Sequence, residues 1–251
     1  MIRIVSCKQI SLFKIFDTPQ LAAQTLAQEF KLTAENILNY QSRFNIALSG
    51  GNTPRLFYSI LSHRLTDWPA WKRIHLYWGD ERCVPPEDSQ SNYLMVKESL
   101  IDKINIPGQN VHRIHGESEP VSEALRYHKL IMDNISTIKH DWPIFDWILL
   151  GIGEDGHTAS LFPGSEALKE NQTICTIAVN PGTQQKRISL TLPLINSARN
   201  VIFLVSGRSK AAVVQSVIKQ KKESVLFPAA QVKPLSGILT WYLDREAANL
   251  L

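Results

Sequence analysis

The chain has 251 residues, of which 44% are hydrophobic and 20% are charged, a composition typical of a soluble globular protein. No apolar run reaches the roughly 18 residues of a membrane span, and the N-terminus lacks the features of a secretory signal, so we expect a cytoplasmic protein without a membrane partner. The formal net charge of +4 favours an anionic small molecule. The one dense basic cluster has no interleaved aromatic residues and therefore does not indicate nucleic-acid binding.

Strands alternate with helices along the whole sequence, and the length suits one large domain over residues 1–251. Apolar runs predict strands at residues 11–16, 44–48, 74–78, 111–114, 148–150, 173–179, 187–192, 201–205 and 239–243. Helical spacing predicts helices at residues 18–40, from 54 onward, and at 92–100, 121–135, 211–218 and 244–251. The alternation predicts the α/β class, with a doubly wound, mainly parallel sheet flanked by helices.

A glycine pair follows the strand at residues 44–48. Gly50 and Gly51 allow the backbone to approach a ligand closely, and Asn52 follows them. Thr53 is suited to cap the next helix and Pro54 to occupy its first position, which leaves backbone N–H groups free for an anion or a sugar hydroxyl. A plain strand-to-helix turn is the alternative. Two adjacent glycines favour the binding function.

Charged residues end the strand at residues 74–78. Asp80, Glu81 and Arg82 stand there, ahead of two prolines. A surface ion-pair cluster is the commonest fate of such residues. Open α/β sheets bind ligands at the carboxyl ends of their strands, so the position of this cluster favours a role in the site.

The stretch at residues 145–164, FDWILLGIGEDGHTASLFPG, is the strongest candidate for the active site. Its buried strand runs into a loop where Gly151, Gly153 and Gly156 permit sharp turns. Asp155 and His157 lie inside this loop, although a tight turn requires neither an acid nor a histidine. His157 is therefore the best single candidate for a catalytic residue.

The same three glycines also match the GxGxxG spacing of dinucleotide-binding proteins. That fingerprint requires a helix at the third glycine and an acidic residue about 20 positions later. Pro163 and Gly164 interrupt any long helix, and Asn180 stands near the place of the acid. The sequence therefore argues against dinucleotide binding.

Two cations complete the candidate site. Arg187 opens a predicted strand, and Lys210 lies in the first turn of the helix after SGRSK. Cations are disfavoured at a helix N-terminus, so Lys210 suggests an anion bound opposite it. A solvated surface lysine is the alternative.

Residues that commonly bind metals are scattered. Cys7, Cys83 and Cys175 are widely spaced and form no CxxC pair, so we expect reduced, structural cysteines. His112 and His115 are three apart on a predicted strand, where they face opposite sides. We therefore predict no metal site. The residues alone indicate a hydrolase or isomerase acting on a small phosphorylated substrate, and they do not decide between the two.

Five motifs together resemble the 6-phosphogluconolactonases, a family within the wider glucosamine/galactosamine-6-phosphate isomerase superfamily. They are LSGGNTP, WGDERCVPPEDSQSNY, GIGEDGHTASLFPG, RISLTLPLINSARNVIFLVSG and WYLDREAANL, and they cover nearly the whole chain. The resemblance implies a Rossmann-like sheet of the sugar-phosphate isomerase type. It also implies hydrolysis of 6-phospho-D-glucono-1,5-lactone in the oxidative pentose phosphate pathway, without a metal or organic cofactor.

The resemblance also implies roles for the candidate residues. His157 would be the general base that activates water, and Asp155 would orient it. Arg82 would stabilise the oxyanion, and Asp80 would position Arg82 or a sugar hydroxyl. The remaining candidates are implied to hold the phosphate (Lys210 and Arg187) or to line the substrate (Gly50, Gly51, Asn52 and Thr53).

Two other functions stay open. SGGNTP and GIGEDGH are also similar to glucosamine-6-phosphate deaminases, which carry a glutamate five residues after the histidine, where this chain has Phe162. The third possibility is a non-catalytic module that binds sugar phosphates, although the presence of His157 argues against it.

Overall fold

The computed structural model describes residues 10–137 and 142–251. Its strands are β1 (Ile10–Phe16), β2 (Phe44–Leu48), β3 (Ile74–Trp78), β4 (Asp80–Arg82), β5 (Val111–His112), β6 (Trp147–Leu150), β7 (Cys175–Val179), β8 (Lys186–Leu190), β9 (Asn200–Val205) and β10 (Ile238–Asp244). Its α-helices are α1 (Pro19–Leu38), α2 (Asn52–Arg64), α3 (Asn92–Ser99), α4 (Pro120–Asn134), α5 (Glu166–Lys169), α6 (Leu192–Ser197), α7 (Ala211–Ile218) and α8 (Pro228–Gln231). Cys7 lies outside the described residues.

Seven strands form one parallel sheet in the order β1-β10-β9-β6-β2-β3-β5. From β2 the chain adds β3 and β5 on one side, and then β6, β9 and β10 on the other. The sheet therefore has a topological switch point between β2 and β6, where doubly wound folds bind their ligands. This arrangement confirms the predicted fold class.

Burial explains why the central strands read as continuous apolar runs. Every residue of β2, β3 and β6 is buried, as expected for a parallel sheet covered on both faces. Phe30 of α1 contacts Phe44 of β2, Phe57 of α2 and Trp147 of β6, with ring centroids 5.6 to 6.4 Å apart. Such aromatic pairs contribute about 0.5–1.5 kcal/mol each beyond burial of their area. They hold two helices against the strands that flank the switch point.

A second, antiparallel sheet has the order β4-β8-β7. The sequence predicted the strands of β7 and β8 but neither β4 nor the separation of these strands from the main sheet. The prediction missed β4 because only one residue, Gly79, separates it from β3, so the two strands read as one segment. The charged residues after β3 therefore lie in the second sheet.

The predicted helix at residues 244–251 is wrong, because the structure has turns there. Asp244 does accept a hydrogen bond from the Ala247 backbone N–H (2.7 Å), as a cap would, but it also accepts the N–H of Gly207 (3.1 Å). The Leu250 carbonyl accepts from the side chain of Lys219 on the C-terminal side of α7 (3.0 Å). The backbone forms only separate turns there, with the Ala248 N–H donating to the Asp244 carbonyl (3.0 Å) and the Leu251 N–H to the Ala248 carbonyl (2.9 Å). Within the described ranges, none of the helices combines the length and apolarity that a bilayer crossing requires.

Candidate active site

A cavity of about 190 Å³ lies at the switch point, between the loops after β2 and β6 and the second sheet. Its lining is polar and includes backbone, one histidine, one carboxylate and two arginines. The lining residues are Ser49, Gly50, Gly51, Asp80, Arg82, Asn92, Gly151, Ile152, His157, Ala159 and Arg187. The structure therefore brings together six of the ten site residues expected from sequence, namely Gly50, Gly51, Asp80, Arg82, His157 and Arg187.

The loop after β6 packs its backbone tightly around the histidine. A Cβ at Gly153 would lie 2.1 Å from His157 Nδ1 and 2.4 Å from Asp155 Oδ1, so only glycine fits there. Gly156 has φ +83°, and Ala159 has φ +48°, which an alanine rarely adopts. Backbone strain of this kind is typical of functional loops.

His157 and Asp155 form a hydrogen-bonded pair. Asp155 Oδ1 lies 2.6 Å from His157 Nδ1 and also accepts the backbone N–H of His157 at 3.1 Å. A carboxylate only accepts, so Nδ1 carries the hydrogen, and in the neutral ring the lone pair is then on Nε2. Asp155 does not line the cavity, and it contacts the reactive ring from behind. The pair can therefore act as an oriented base.

Two arginines stand directly opposite each other in the second sheet, Arg82 on β4 and Arg187 on β8. Their Nε atoms are buried and have no hydrogen-bond partner among the described residues. Burial lowers the pKa of Arg187, and the charge of Arg82 lowers it further, although Asp80 opposes the effect. Like charges directly opposite in a sheet are destabilising. An anion in the cavity would relieve that repulsion.

Asp80 contacts Arg187 and not Arg82. Its Oδ2 accepts from Ser160 Oγ at 2.6 Å and lies 4.0 Å from Arg187 Nη1. Arg187 Nη1 also donates to Ser160 Oγ at 3.5 Å. Arg82 instead donates through Nη1 to the Gln90 carbonyl. The suggestion that Asp80 positions Arg82 is therefore not supported by a side-chain contact, because the antiparallel pairing of β4 with β8 brings Arg187 to Asp80.

Sequence reasoning missed Asn92 and Ser160. Asn92 begins α3, lines the cavity, and donates from Nδ2 to the Asp80 backbone carbonyl at 2.9 Å. A Cβ on Gly50 would lie 1.9 Å from Asn92 Oδ1, so Gly50 makes room for this side chain. The available signal was position. Asn92 belongs to the same motif as Asp80, WGDERCVPPEDSQSNY, and Ser160 follows His157 by three residues.

Four expected residues, Asn52, Thr53, Asp155 and Lys210, do not line the cavity. The prediction that Thr53 caps α2 is wrong, because Gly51, with φ +104°, is the N-cap and α2 begins at Asn52. The Thr53 hydroxyl is instead 2.7 Å from Ser206 Oγ. A glycine in the left-handed region turns the chain two residues earlier than the threonine pattern indicated.

Lys210 lies beside the histidine loop. Its Nζ is 4.0 Å from Glu154 Oε1, and Glu154 immediately precedes Asp155. Lys210 is the residue before α7, in the turn that follows β9. Together with the Thr53 to Ser206 contact, this places the loops after β2, β6 and β9 around one region of the sheet edge.

Within residues 10–137 and 142–251, no three side chains of His, Cys, Asp or Glu are grouped closely enough to hold a metal ion. His112 Nε2 lies 2.9 Å from Nδ1 of His75 on the neighbouring strand β3. Burial lowers the pKa of both rings to about 4. His112 is half-buried and pairs with buried His75 on the sheet, and neither lines the cavity.

The chain is similar to known proteins over most of its length. Residues 17–241 match the family model described as Glucosamine-6-phosphate isomerases/6-phosphogluconolactonase. A 6-phosphogluconolactonase from Haemophilus influenzae is 40% identical over 94% of this chain and 98% of its own length. The 6-phosphogluconolactonase structure from Trypanosoma brucei has a TM-score of 0.84 at 28% identity, and the alignment covers 98% of this chain and 100% of that one.

A monomeric glucosamine-6-phosphate deaminase of the NagB superfamily also shares the fold. Its TM-score is 0.77 at 23% identity, over 96% of this chain and 100% of that one. Likeness at that level of identity extends to the fold alone. The family match spans most of the chain, and the identity to the Haemophilus protein is 40%. These two findings show family membership as well as the fold. The chain belongs to the 6-phosphogluconolactonase family.

Proposed function

We propose that this protein hydrolyses 6-phospho-D-glucono-1,5-lactone to 6-phosphogluconate, the reaction of the oxidative pentose phosphate pathway that its relatives are named for. The observation that carries the proposal is one cavity holding an acid-oriented histidine and two facing arginines. Lactone hydrolysis requires a base for water and cationic groups for a developing oxyanion and a phosphate.

His157 would start the reaction. Its Nε2 would take a proton from water as the water oxygen bonds to the lactone carbonyl carbon. The carbonyl π electrons then move to the oxygen and form a tetrahedral oxyanion. When the carbonyl re-forms, the bond to the ring oxygen breaks, and that oxygen takes the proton back from His157. Asp155 holds the imidazolium in place throughout, since it accepts from Nδ1 at 2.6 Å.

The cations would serve two places of negative charge, the phosphate and the oxyanion that develops at the carbonyl oxygen. Arg82 is proposed to stabilise the oxyanion, and Arg187 with Lys210 is proposed to bind the phosphate. Asp80 and Ser160 would hold Arg187 in position, as their 4.0 Å and 3.5 Å contacts with Nη1 support. Backbone of Gly50 and Gly51, with Asn52 and Thr53 at the start of α2, would contact the sugar.

Phe162 is the feature that favours a lactonase over a deaminase. Its side chain is buried, packs 4.8 Å from the His157 ring and lies 5.8 Å from the Arg187 guanidinium. An aldose-to-ketose rearrangement requires an acid and a base to move a proton between carbons, and phenylalanine supplies neither. The nearby Glu166 is exposed and pairs with Lys169 at 2.7 Å. Among the described residues, Asp80 is therefore the only carboxylate in the cavity lining.

Two assays on one preparation test the proposal. Acid release from freshly made phosphogluconolactone is expected to exceed the uncatalysed rate, and ammonia release from glucosamine-6-phosphate is expected to be undetectable. The variant His157→Asn keeps a polar side chain without the base and serves as the blank. Ammonia release without lactone acceleration would establish the deaminase, and binding of phosphogluconate without either reaction would establish the binding module.

The cytoplasmic location, the single domain over residues 1–251 and the lack of a nucleic-acid partner or cofactor stay predictions from composition and resemblance. Each has a direct measurement: fractionation of the host cell, proteolysis of the folded chain, and turnover by metal-free protein that has been separated from nucleic acid.

A further inference from the structure

Glu81 is a buried carboxylate that the reaction does not use. Only 2% of the residue is exposed, and it is absent from the cavity lining. It stands between Asp80 and Arg82 on β4, and alternation along a strand turns its side chain away from theirs. Burying an ionisable group is costly unless its lone pairs are satisfied. Its environment therefore requires an explanation.

Four donors from two elements converge on this carboxylate. Oε1 accepts from the backbone N–H groups of Arg82 and Asn92, both at 2.8 Å. Oε2 accepts from the Tyr93 N–H at 2.7 Å and from Ser91 Oγ at 3.1 Å. Burial raises the pKa of Glu81, while the three backbone donors oppose that rise. The carboxylate thus joins β4 to the first turn of α3.

This joint supports the side chains of the cavity from behind. The Asn92 backbone N–H donates to Glu81. The Asn92 side chain donates from Nδ2 to the Asp80 carbonyl (2.9 Å) and to Asp80 Oδ1 (3.4 Å). The Arg82 backbone N–H also donates to Glu81. The Arg82 side chain donates to the carbonyl of Gln90, at the end of the loop that leads into α3. Both residues whose N–H groups donate to Glu81 Oε1, Arg82 and Asn92, therefore also line the cavity.

We propose that Glu81 is a positioning residue, which sets the placement of Arg82 and Asn92 by tying β4 to the N-terminus of α3. The inference rests on the proposed lactonase function, because its effect is read through turnover. A carboxylate is required at this place since it has acceptor oxygens only. In glutamine an NH₂ group would replace one of the two oxygens and face the donors there. About half of the four hydrogen bonds to this side chain would be lost.

The variant Glu81→Gln tests the proposal because it keeps size and shape. A displacement of about 1 Å at catalytic groups costs on the order of 10²-fold in rate, so we expect kcat to fall roughly 10- to 100-fold. KM for the lactone and the affinity for phosphogluconate should change much less. Hydrogen exchange should speed up at whichever of the Asn92 and Tyr93 amides faces the new NH₂ group, since that amide loses its acceptor.

Glu123→Gln is the matched control. Glu123 is equally buried at 2% exposure, and its carboxylate accepts from the His115 N–H (2.7 Å) and from Arg126 (2.6 Å), outside the catalytic cavity. Both variants should lower Tm, but only Glu81→Gln should lower kcat when assayed well below both melting points. A purely structural role would affect the two variants alike.

A second, milder variant tests the same proposal if Glu81→Gln does not fold. Ser91→Ala removes one donor to Glu81 and the side-chain cap of α3, while Thr18→Ala removes a comparable cap from α1. We expect a decrease in kcat for Ser91→Ala alone. Wild-type kcat in folded Glu81→Gln and Ser91→Ala proteins would refute the role of Glu81. A wild-type protein without lactonase activity would refute the function itself.

Discussion

The two sheets that enclose the cavity are built from different side chains. In the seven-stranded sheet, the central strands β2, β3 and β6 are buried along their whole length. In the three-stranded sheet, β4 reads Asp-Glu-Arg, and β8 begins with Lys186 and Arg187. One sheet is held together by burial of apolar surface. The other brings charges of like sign into register.

This difference separates the base from the cations of the site. The large sheet supplies rigid strand ends, from which the glycine loop and His157 project. The small sheet holds Arg82 opposite Arg187 at an electrostatic cost that an anion would offset. We infer that loss of groups from the large sheet chiefly slows the chemical step, whereas loss of cations from the small sheet chiefly weakens stabilisation of negative charge.

Removal of His157 should give the largest effect. Loss of a general base costs roughly 10² to 10⁴ in rate, so His157→Ala should lose most turnover while phosphogluconate binding is largely kept. The base acts on the transition state and not on ground-state affinity. Steady-state assays with the spontaneous opening of the lactone subtracted provide the measurement. A kcat near that of wild type would remove His157 from the mechanism.

Truncation of Arg82 should rank next. Loss of one oxyanion donor costs about 10²- to 10³-fold in kcat, so Arg82→Ala should lower kcat with little change in KM. Arg82→Ala also removes a repulsive charge from β4. The Tm of this variant should therefore fall less than truncation of a buried side chain normally causes. Thermal unfolding and kinetics on the same sample check both points. A raised KM with unchanged kcat would reassign Arg82 to the phosphate.

Arg187→Ala and Lys210→Ala should have a smaller effect, mainly on KM. Each lost charged hydrogen bond weakens binding by about 1.5–3 kcal/mol, and the phosphate keeps its charge throughout the reaction. Calorimetry with phosphogluconate measures this loss directly. Lys169→Ala, whose lysine pairs with exposed Glu166, is the control. If both variants bound the product as tightly as wild type, the phosphate site would lie elsewhere.

The smallest effect on turnover is expected from the His75–His112 pair, which lies outside the cavity lining and bears instead on the pH dependence of stability. The pKa values of His75 and His112 are lowered to about 4 by burial, so the unfolded chain binds protons at a higher pH than the folded protein does. Their contribution to stability is therefore complete above about pH 6.5 and is lost as the pH falls towards 4.

Denaturant titrations at several pH values measure this dependence. His112→Phe should be less stable at neutral pH, since His75 loses its partner at 2.9 Å, but its stability should fall less steeply between pH 6.5 and 4. His63→Phe is the control, because His63 lies on α2 outside the pair. An unchanged slope in His112→Phe would show that the pair does not control the acid sensitivity.

The sequence by itself determined the local features of this protein. Apolar runs bounded β2 and β3, and helical spacing bounded α7, at the residues that the structure shows. The helix predicted from residue 18 is α1, which begins at Pro19 with Thr18 as its cap. The His157 loop and the glycine pair were also recognisable, since few turns require a histidine, an acid and several glycines together. These features depend on neighbouring residues, which the sequence displays.

Only the tertiary structure decided which distant residues meet. The sequence did not show that β4 pairs with β8, so it could not place Arg82 opposite Arg187 or bring Asp80 to Arg187. It also missed Asn92, whose contact with Asp80 depends on the return of the chain into α3. Periodicity indicates which face of a strand is buried. Which distant strand it pairs with is decided by packing between segments far apart in the chain.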